Sequence, residues 1–230
     1  MRLPNRVMMA PMEKNLCTAE GVMTDRYIDY LVARARGGVG PLRVEATYVD
    51  PVGKGRPFLR GAPTDAVIPQ LRRMTEAVHA EGAKVSLELA HCGRQTNMRV
   101  SGFQPVAPSP VPCALSGGYL PSALTRAEID TIVDLFVSAA MRGKEAGLDA
   151  IEIHGASGYL LNAFISPYTN QWDGEYGGSL TNRMRFPLKV VTAVRGAIGD
   201  DMPLLYWMSG HDFVDGGLTE NDSVPLAVEL

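Results

Sequence analysis

Asp149-Ala150-Ile151-Glu152-Ile153-His154-Gly155-Ala156-Ser157-Gly158-Tyr159 is the stretch on which the fold turns. Side chains alternate across a strand, so Ile151 and Ile153 share one face while Ala150, Glu152 and His154 share the other. The apolar pair is suited to a layer of helices, and the polar pair then faces the opposite way. Immediately upstream, Thr125 and Glu128 have the spacing of a capping box. Ile129, Ile132, Val133 and Phe136 follow as the apolar stripe of a helix that ends at Gly147. Helix followed by strand is the unit of an α/β protein with parallel strands.

The same alternation extends in both directions. Candidate strands are Arg6 to Met12, Val39 to Val49, Lys84 to His91, Asp149 to Gly155 and Pro203 to Ser209. Between them, Tyr27, Ile28, Leu31, Val32 and Ala35 form a helical stripe closed by Gly37 and Gly38, and Leu71, Met74 and Val78 form another that stops at Gly82. A further helix runs through Val190, Val194 and Ile198 to Gly199, with Pro187 starting or kinking it, and the next begins near Thr219. No GxGxxG turn follows the first strand, where Ala10, Pro11 and Met12 stand instead, so a (β/α)8 TIM barrel is expected over a doubly wound sheet. About five βα units are expected: an incomplete barrel, one domain truncated at its C-terminus, whose open edge favours association into a homo-oligomer. The Pro-, Ser- and Gly-rich stretch from Cys92 to Leu124 follows a strand and is read as a lid over a site.

Bulk properties exclude several functions. The chain has 230 residues, 46% hydrophobic and 20% charged, with a net charge of −3 and no long run of one sign. That is an ordinary globular composition without the electrostatic footprint for nucleic acid or an anionic membrane. Without a signal region or a bilayer-length apolar run, the chain reads as cytoplasmic. Cys17, Cys92 and Cys113 are too dispersed for a disulfide framework or a zinc site and are expected as reduced thiols.

At the carboxyl end of the Asp149 strand, His154, Ser157 and Tyr159 occupy the place where barrels of this kind keep their active sites. Taken alone, a His and a Tyr beside a Gly-rich turn are more often a satisfied core histidine and a loop anchor than catalytic groups. Their neighbours add a resemblance. Glu152 to Asn162, Phe164 to Pro167, Glu175 to Ser179 and Asn182 to Phe186 closely resemble the old yellow enzyme family. In order along the chain, Asn5-Arg6 with Ala10-Pro11-Met12, Gly37 to Gly40, Val44-Glu45-Ala46, His91 to Arg94, and Asp212-Phe213 with Gly216 to Leu218 are similar to its other segments.

The resemblance implies an FMN-dependent oxidoreductase that passes hydride from NADH or NADPH through the flavin to an enone or enoyl-type acceptor. It also implies that Ala10, Pro11, Met12, Ala46 and Glu88 line the flavin, that His154 and Ser157 hydrogen-bond the acceptor's carbonyl, and that Tyr159 supplies a proton. Some positions depart from the family. Ser157 replaces a His or Asn, Glu88 a Gln, Trp207 an Arg beside the flavin, and Trp172-Asp173-Gly174 an Arg-Thr-Asp run; Glu13 and Asn15 stand where some branches carry Cys and Tyr. An ionised Glu88 is acceptor-only and opposes charge on a reduced flavin unless it is protonated or paired. The family's phosphate site comes from seventh and eighth strand ends. A non-catalytic or truncated relative that has lost flavin is the alternative reading, whereas a flavin-free lyase lacks a lysine or metal cluster at a strand end.

Overall fold

The computed structural model describes residues 1–230. In chain order the elements are α1 (Asp25–Arg36), β1 (Pro41–Tyr48), α2 (Ile68–Ala80), β2 (Lys84–Ala90), α3 (Met98–Ser101), β3 (Val106–Ala107), β4 (Ser122–Ala123), α4 (Arg126–Glu145), β5 (Ala150–Gly155), α5 (Leu160–Ile165), α6 (Leu180–Ile198), β6 (Leu204–Met208) and α7 (Glu220–Glu229). The main sheet runs β1-β2-β5-β6, and every neighbouring pair is parallel. Chain order and spatial order coincide, so each strand adds to the same side of the last, as in a barrel wall; a doubly wound sheet would reverse.

Leu42 and Val44 of β1, Val85, Leu87 and Leu89 of β2, and Ile151 and Ile153 of β5 join apolar residues of α1, α2, α4 and α6 in one core. Fully buried Leu31, Leu71, Met74, Phe136 and Phe186 fill the space between strands and helices. Removing one such side chain to Ala typically costs about 2–5 kcal/mol. The other face of the sheet carries Arg43, Glu88, Glu152, His154 and Trp207, out of phase with the core residues.

Helix boundaries follow their caps. The Thr125 side chain accepts from Glu128 N, and Glu128 in turn accepts from Thr125 N at 2.7 Å, the reciprocal box expected from the sequence. Pro187 does not start α6, and of the two readings the interior one stands: the Ser179 side chain caps the helix by accepting from Asn182 N, and Pro187 is buried inside it. Thr219 heads α7 with a second capping box.

The expected strand from Arg6 to Met12 is corrected. It lies along β1 but contributes only a bridge between Met9 and Leu42, supported by Met9 N to Pro41 O and Gly40 N to Val7 O, both 3.0 Å. Pro11 has no N–H to extend the ladder, and the segment lies at the sheet edge with neighbours on one side only. The Cys92 to Leu124 stretch holds α3, two single 3-10 turns and the two-stranded pair β3-β4. Ala107, Ser109, Cys113 and Leu124 within it are buried, so it packs on the barrel end rather than spanning solvent.

Candidate active site

Two glycines bring the strand ends together. Gly93, just past β2, has φ +57°, and a Cβ there would stand 2.9 Å from Leu160 Cα. This close approach lets Leu160 N donate to His91 O at 2.9 Å and ties the start of α5 to the end of β2. At the end of β5, a Cβ on Gly155 would collide with the Tyr206 ring of the adjacent strand. Tyr159 is therefore delivered to the mouth between β2 and β5.

There His154 is 8% exposed, and its ring centroid lies 4.5 Å from that of Tyr159 and 6.0 Å from that of Trp207. Ala156 N donates to His154 Nδ1 at 3.3 Å, so the proton of the neutral ring is on Nε2. Burial pushes the imidazole down to about 4, which leaves it neutral at physiological pH and a donor through Nε2–H. Tyr159 packs with Ala46, Tyr48, Leu59, Ala90 and Cys92. The neighbouring Cys92 and burial hold its phenol well above the usual tyrosine value, so it keeps its proton. Cys92 itself is pushed up to about 12 by burial and stays a thiol.

Ser157 is exposed, in the left-handed region at φ +57°, with its N–H donating to Ser209 Oγ at 2.9 Å and its carbonyl accepting from Gln95 Nε2 at 2.6 Å. Both backbone groups are thereby committed, and the hydroxyl is left on the wall of a cleft of about 530 Å³. That cleft lies between the Ser157–Gly158 turn, Pro112 to Leu115 of the lid, and Ser209 to Val214 after β6. It opens beside His154 and Tyr159 rather than over them, because neither residue lines it.

Of the remaining expected residues, Ala46 shares the Tyr159 cluster and Pro11 is buried, whereas Ala10 is half-buried and Met12 is 57% exposed. The chain just beyond Met12 is drawn to this end by Glu45, whose Oε2 accepts from Lys14 N and Asn15 N. Glu88 is 2% exposed, and burial together with Glu152 pushes it up to about 9. This is the protonated case the sequence left open: with that value Glu88 is a carboxylic acid at neutral pH, able to donate as well as accept.

Sequence reasoning missed Arg43. Its Nη1 bonds Glu152 Oε1 at 2.5 Å, and its guanidinium lies 5.0 Å from the Trp207 ring centroid. A cation carried by β1 thus lies against the ring of Trp207 on β6. The signal was present: Arg43 stands between Leu42 and Val44 in the strand and is therefore out of phase with them. The Trp172 substitution also finds a structural use, packing its ring 5.5 Å from Tyr176 and 6.3 Å from Phe164.

These features fit the ring portion of FMN. Glu88 Oε1 and Glu152 Oε2 are buried without partners, and Arg43 is bonded to Glu152 beside them. A flat heterocycle with alternating donors and acceptors complements such a set. No helix is long and apolar enough to cross a membrane.

Comparison with known proteins agrees. Residues 1–230 match the NADH:flavin oxidoreductase / NADH oxidase family. The chain is 44% identical over 228 residues to an NADH oxidase of Thermoanaerobacter brockii, covering 98% of this chain and 35% of that protein. Among solved structures, a 2-naphthoyl-CoA reductase in complex with 2-naphthoyl-CoA superposes with a TM-score of 0.93 at 30% identity, over 98% of this chain and 36% of that one. An old yellow enzyme homologue from Zymomonas mobilis gives 0.88 at 32% identity, over 98% and 66%. The chain thus spans between about a third and two thirds of the length of these relatives. With the barrel wall and the family match across residues 1–230 in agreement, the chain belongs to the NADH:flavin oxidoreductase / NADH oxidase family, whose cofactor is FMN.

Proposed function

We propose that the protein carrying this chain is an FMN-dependent oxidoreductase that takes hydride from NADH or NADPH and delivers it to an alkene activated by a carbonyl group. The observation that carries the reading is the neutral His154, protonated on Nε2, with its ring 4.5 Å from that of the protonated Tyr159 at the carboxyl end of β5. The carbonyl of 2-naphthoyl-CoA, the compound bound by one solved neighbour, supports the acceptor class.

When bound, FMN supplies the hydride. Everything else falls to the side chains at the mouth. His154 donates from Nε2 to the acceptor's carbonyl oxygen, where negative charge develops as the β-carbon is reduced. A donor already oriented by the Ala156 N–H needs no reorganisation at that moment. Ser157 adds its hydroxyl from the cleft wall, in the role filled by His or Asn in relatives. Tyr159 holds the proton for the α-carbon, and its packing against Ala46 and Cys92 keeps the phenol dry until an acceptor arrives. Ala46, Pro11 and Glu88 hold the flavin ring, with Ala10 and Met12 at its border. The cleft between lid and β6 loop admits the remainder of the acceptor.

The test separates the two half-reactions in the full-length protein. After anaerobic reduction by NADH or NADPH, reoxidation by 2-cyclohexenone should be slowed by about 10²-fold or more in Tyr159→Phe, in the range of a lost general acid, with reduction almost unchanged. Equal slowing of both half-reactions would exclude the proton-donor role, and a protein that neither carries nor takes up flavin would exclude the function.

A further inference from the structure

The inward face of the sheet contains two buried carboxyl groups and, bonded to one of them, the cation of Arg43. Glu88 of β2 and Glu152 of β5 are cross-strand partners in the register, 2% and 1% exposed. Arg43 from β1 is committed to Glu152 through Nη1. The groups that face Glu88 can be named strand by strand: Arg43 from β1, Glu152 and His154 from β5, and the uncharged Trp207 from β6. His154 Nδ1 lies 3.9 Å away, too far for a hydrogen bond, and already accepts from Ala156 N. Glu88 Oε1 is buried with no partner.

A buried carboxylate without a cation or donor is strongly disfavoured. One arginine balances one of the two carboxylates, and a proton on the other removes the excess charge. We propose that Glu88 and Glu152 together retain one proton, carried by Glu88 because Arg43 is committed to Glu152, so that Glu88 meets the flavin ring as a neutral hydrogen-bond donor and makes flavin binding depend on pH. This inference rests on the flavin reading above. The protonated carboxyl has the shape of a Gln amide, with one donor and one acceptor end, but unlike an amide it can lose its donor. Loss of that proton puts a second negative charge beneath the ring, removes a hydrogen bond to it and leaves Arg43 shared between two carboxylates. The mouth thereby behaves as an amide-like site in neutral solution and as an anionic one in alkali.

The experiment compares the full-length wild-type protein with Glu88→Gln, with folding verified by circular dichroism. Infrared difference spectra of flavin-free protein at pH 7 should show a carboxylic-acid C=O band in the wild type that Glu88→Gln lacks and that disappears by pH 10. In parallel, quenching of FMN fluorescence measures affinity from pH 7 to 10. The ratio of wild-type to variant dissociation constants should rise by up to about tenfold per pH unit once Glu88 ionises, the flavin's own ionisation being common to both proteins. A band of equal intensity in Glu88→Gln, or a ratio that stays constant with pH, would overturn the proposal. If neither protein binds FMN, the cofactor reading fails instead, and the infrared band alone decides whether Glu88 holds the proton.

Discussion

Replacing Arg43 by Met removes the sole cation bonded to Glu152 and keeps most of the side chain's volume. The pair is 2.5 Å apart, with Arg43 19% and Glu152 1% exposed. Breaking a buried pair from one side costs about 3–5 kcal/mol, because the surviving charge is stranded. Here the loss has a ceiling. The variant can fold with Glu152 protonated, which at pH 7 means raising a carboxyl by 2.5 pH units from its ordinary 4.5, at about 1.36 kcal/mol each. The expected loss at pH 7 is therefore about 3 kcal/mol.

The sign of the pH effect follows from the same proton. A carboxyl whose folded value exceeds its unfolded value takes up a proton on folding, so stability is retained at low pH and falls as pH rises above the unfolded value. Urea unfolding of wild type and Arg43→Met should thus differ by about 3 kcal/mol at pH 7 and by less than about 1 kcal/mol at pH 5. The double variant Arg43→Met/Glu152→Gln should recover most of the loss at pH 7, because no charge remains stranded. Equal losses at the two pH values, or strictly additive single and double variants, would refute the ion-pair argument and reduce Arg43 to a packing residue.

Glu88→Gln should stabilise the fold increasingly with pH, since Glu88 titrates at about 9 when folded and near 4.5 when unfolded; the gain approaches about 3 kcal/mol at pH 7 and is small at pH 5 by urea titration. Gly93→Ala forces a side chain into φ +57° and within 2.9 Å of the α5 backbone, so thermal unfolding should show a loss of about 1–3 kcal/mol. Thr125→Ala removes the side chain that accepts from Glu128 N and should cost about 1 kcal/mol in urea, with no effect on flavin uptake.

The elements legible from sequence were those whose local pattern and tertiary surroundings ask for the same thing. Ile151 and Ile153 face the helices because alternation and burial agree, and Thr125 begins α4 because its cap needs only residues three apart. The elements misread or not legible have the opposite character. Arg6 to Met12 has a strand's hydrophobicity, but its ladder stops at Pro11 and at the sheet edge. In α5 every residue from Leu160 to Ile165 is buried, so no polar face marks a helical period. The Ser179 cap of α6 was obscured by Pro187, the stronger local punctuation. At the site, His154, Ser157 and Tyr159 were legible through the motif they share. The state of Glu88 was not, because it depends on a residue 64 positions away across the sheet register.

Glu88, Trp207 and Arg43 also change meaning when taken together. Read along the chain, Trp207 is a lost cation and Glu88 an added anion, two changes that both oppose a flavin whose ring gains negative charge on reduction. Two unit charges about 4 Å apart interact by about 4 kcal/mol at an effective dielectric of 20, enough to matter for both binding and reduction. In the folded chain Arg43 reaches the Trp207 ring at 5.0 Å and bonds Glu152, while Glu88 stays uncharged. Among Arg43, Glu88 and Glu152 the count is then one cation against one anion, so neither change leaves an unbalanced charge in that group at neutral pH. What differs is the strand that carries the cation and the presence of a proton that can leave, which makes the balance conditional on pH where an Arg and a Gln would have kept it constant.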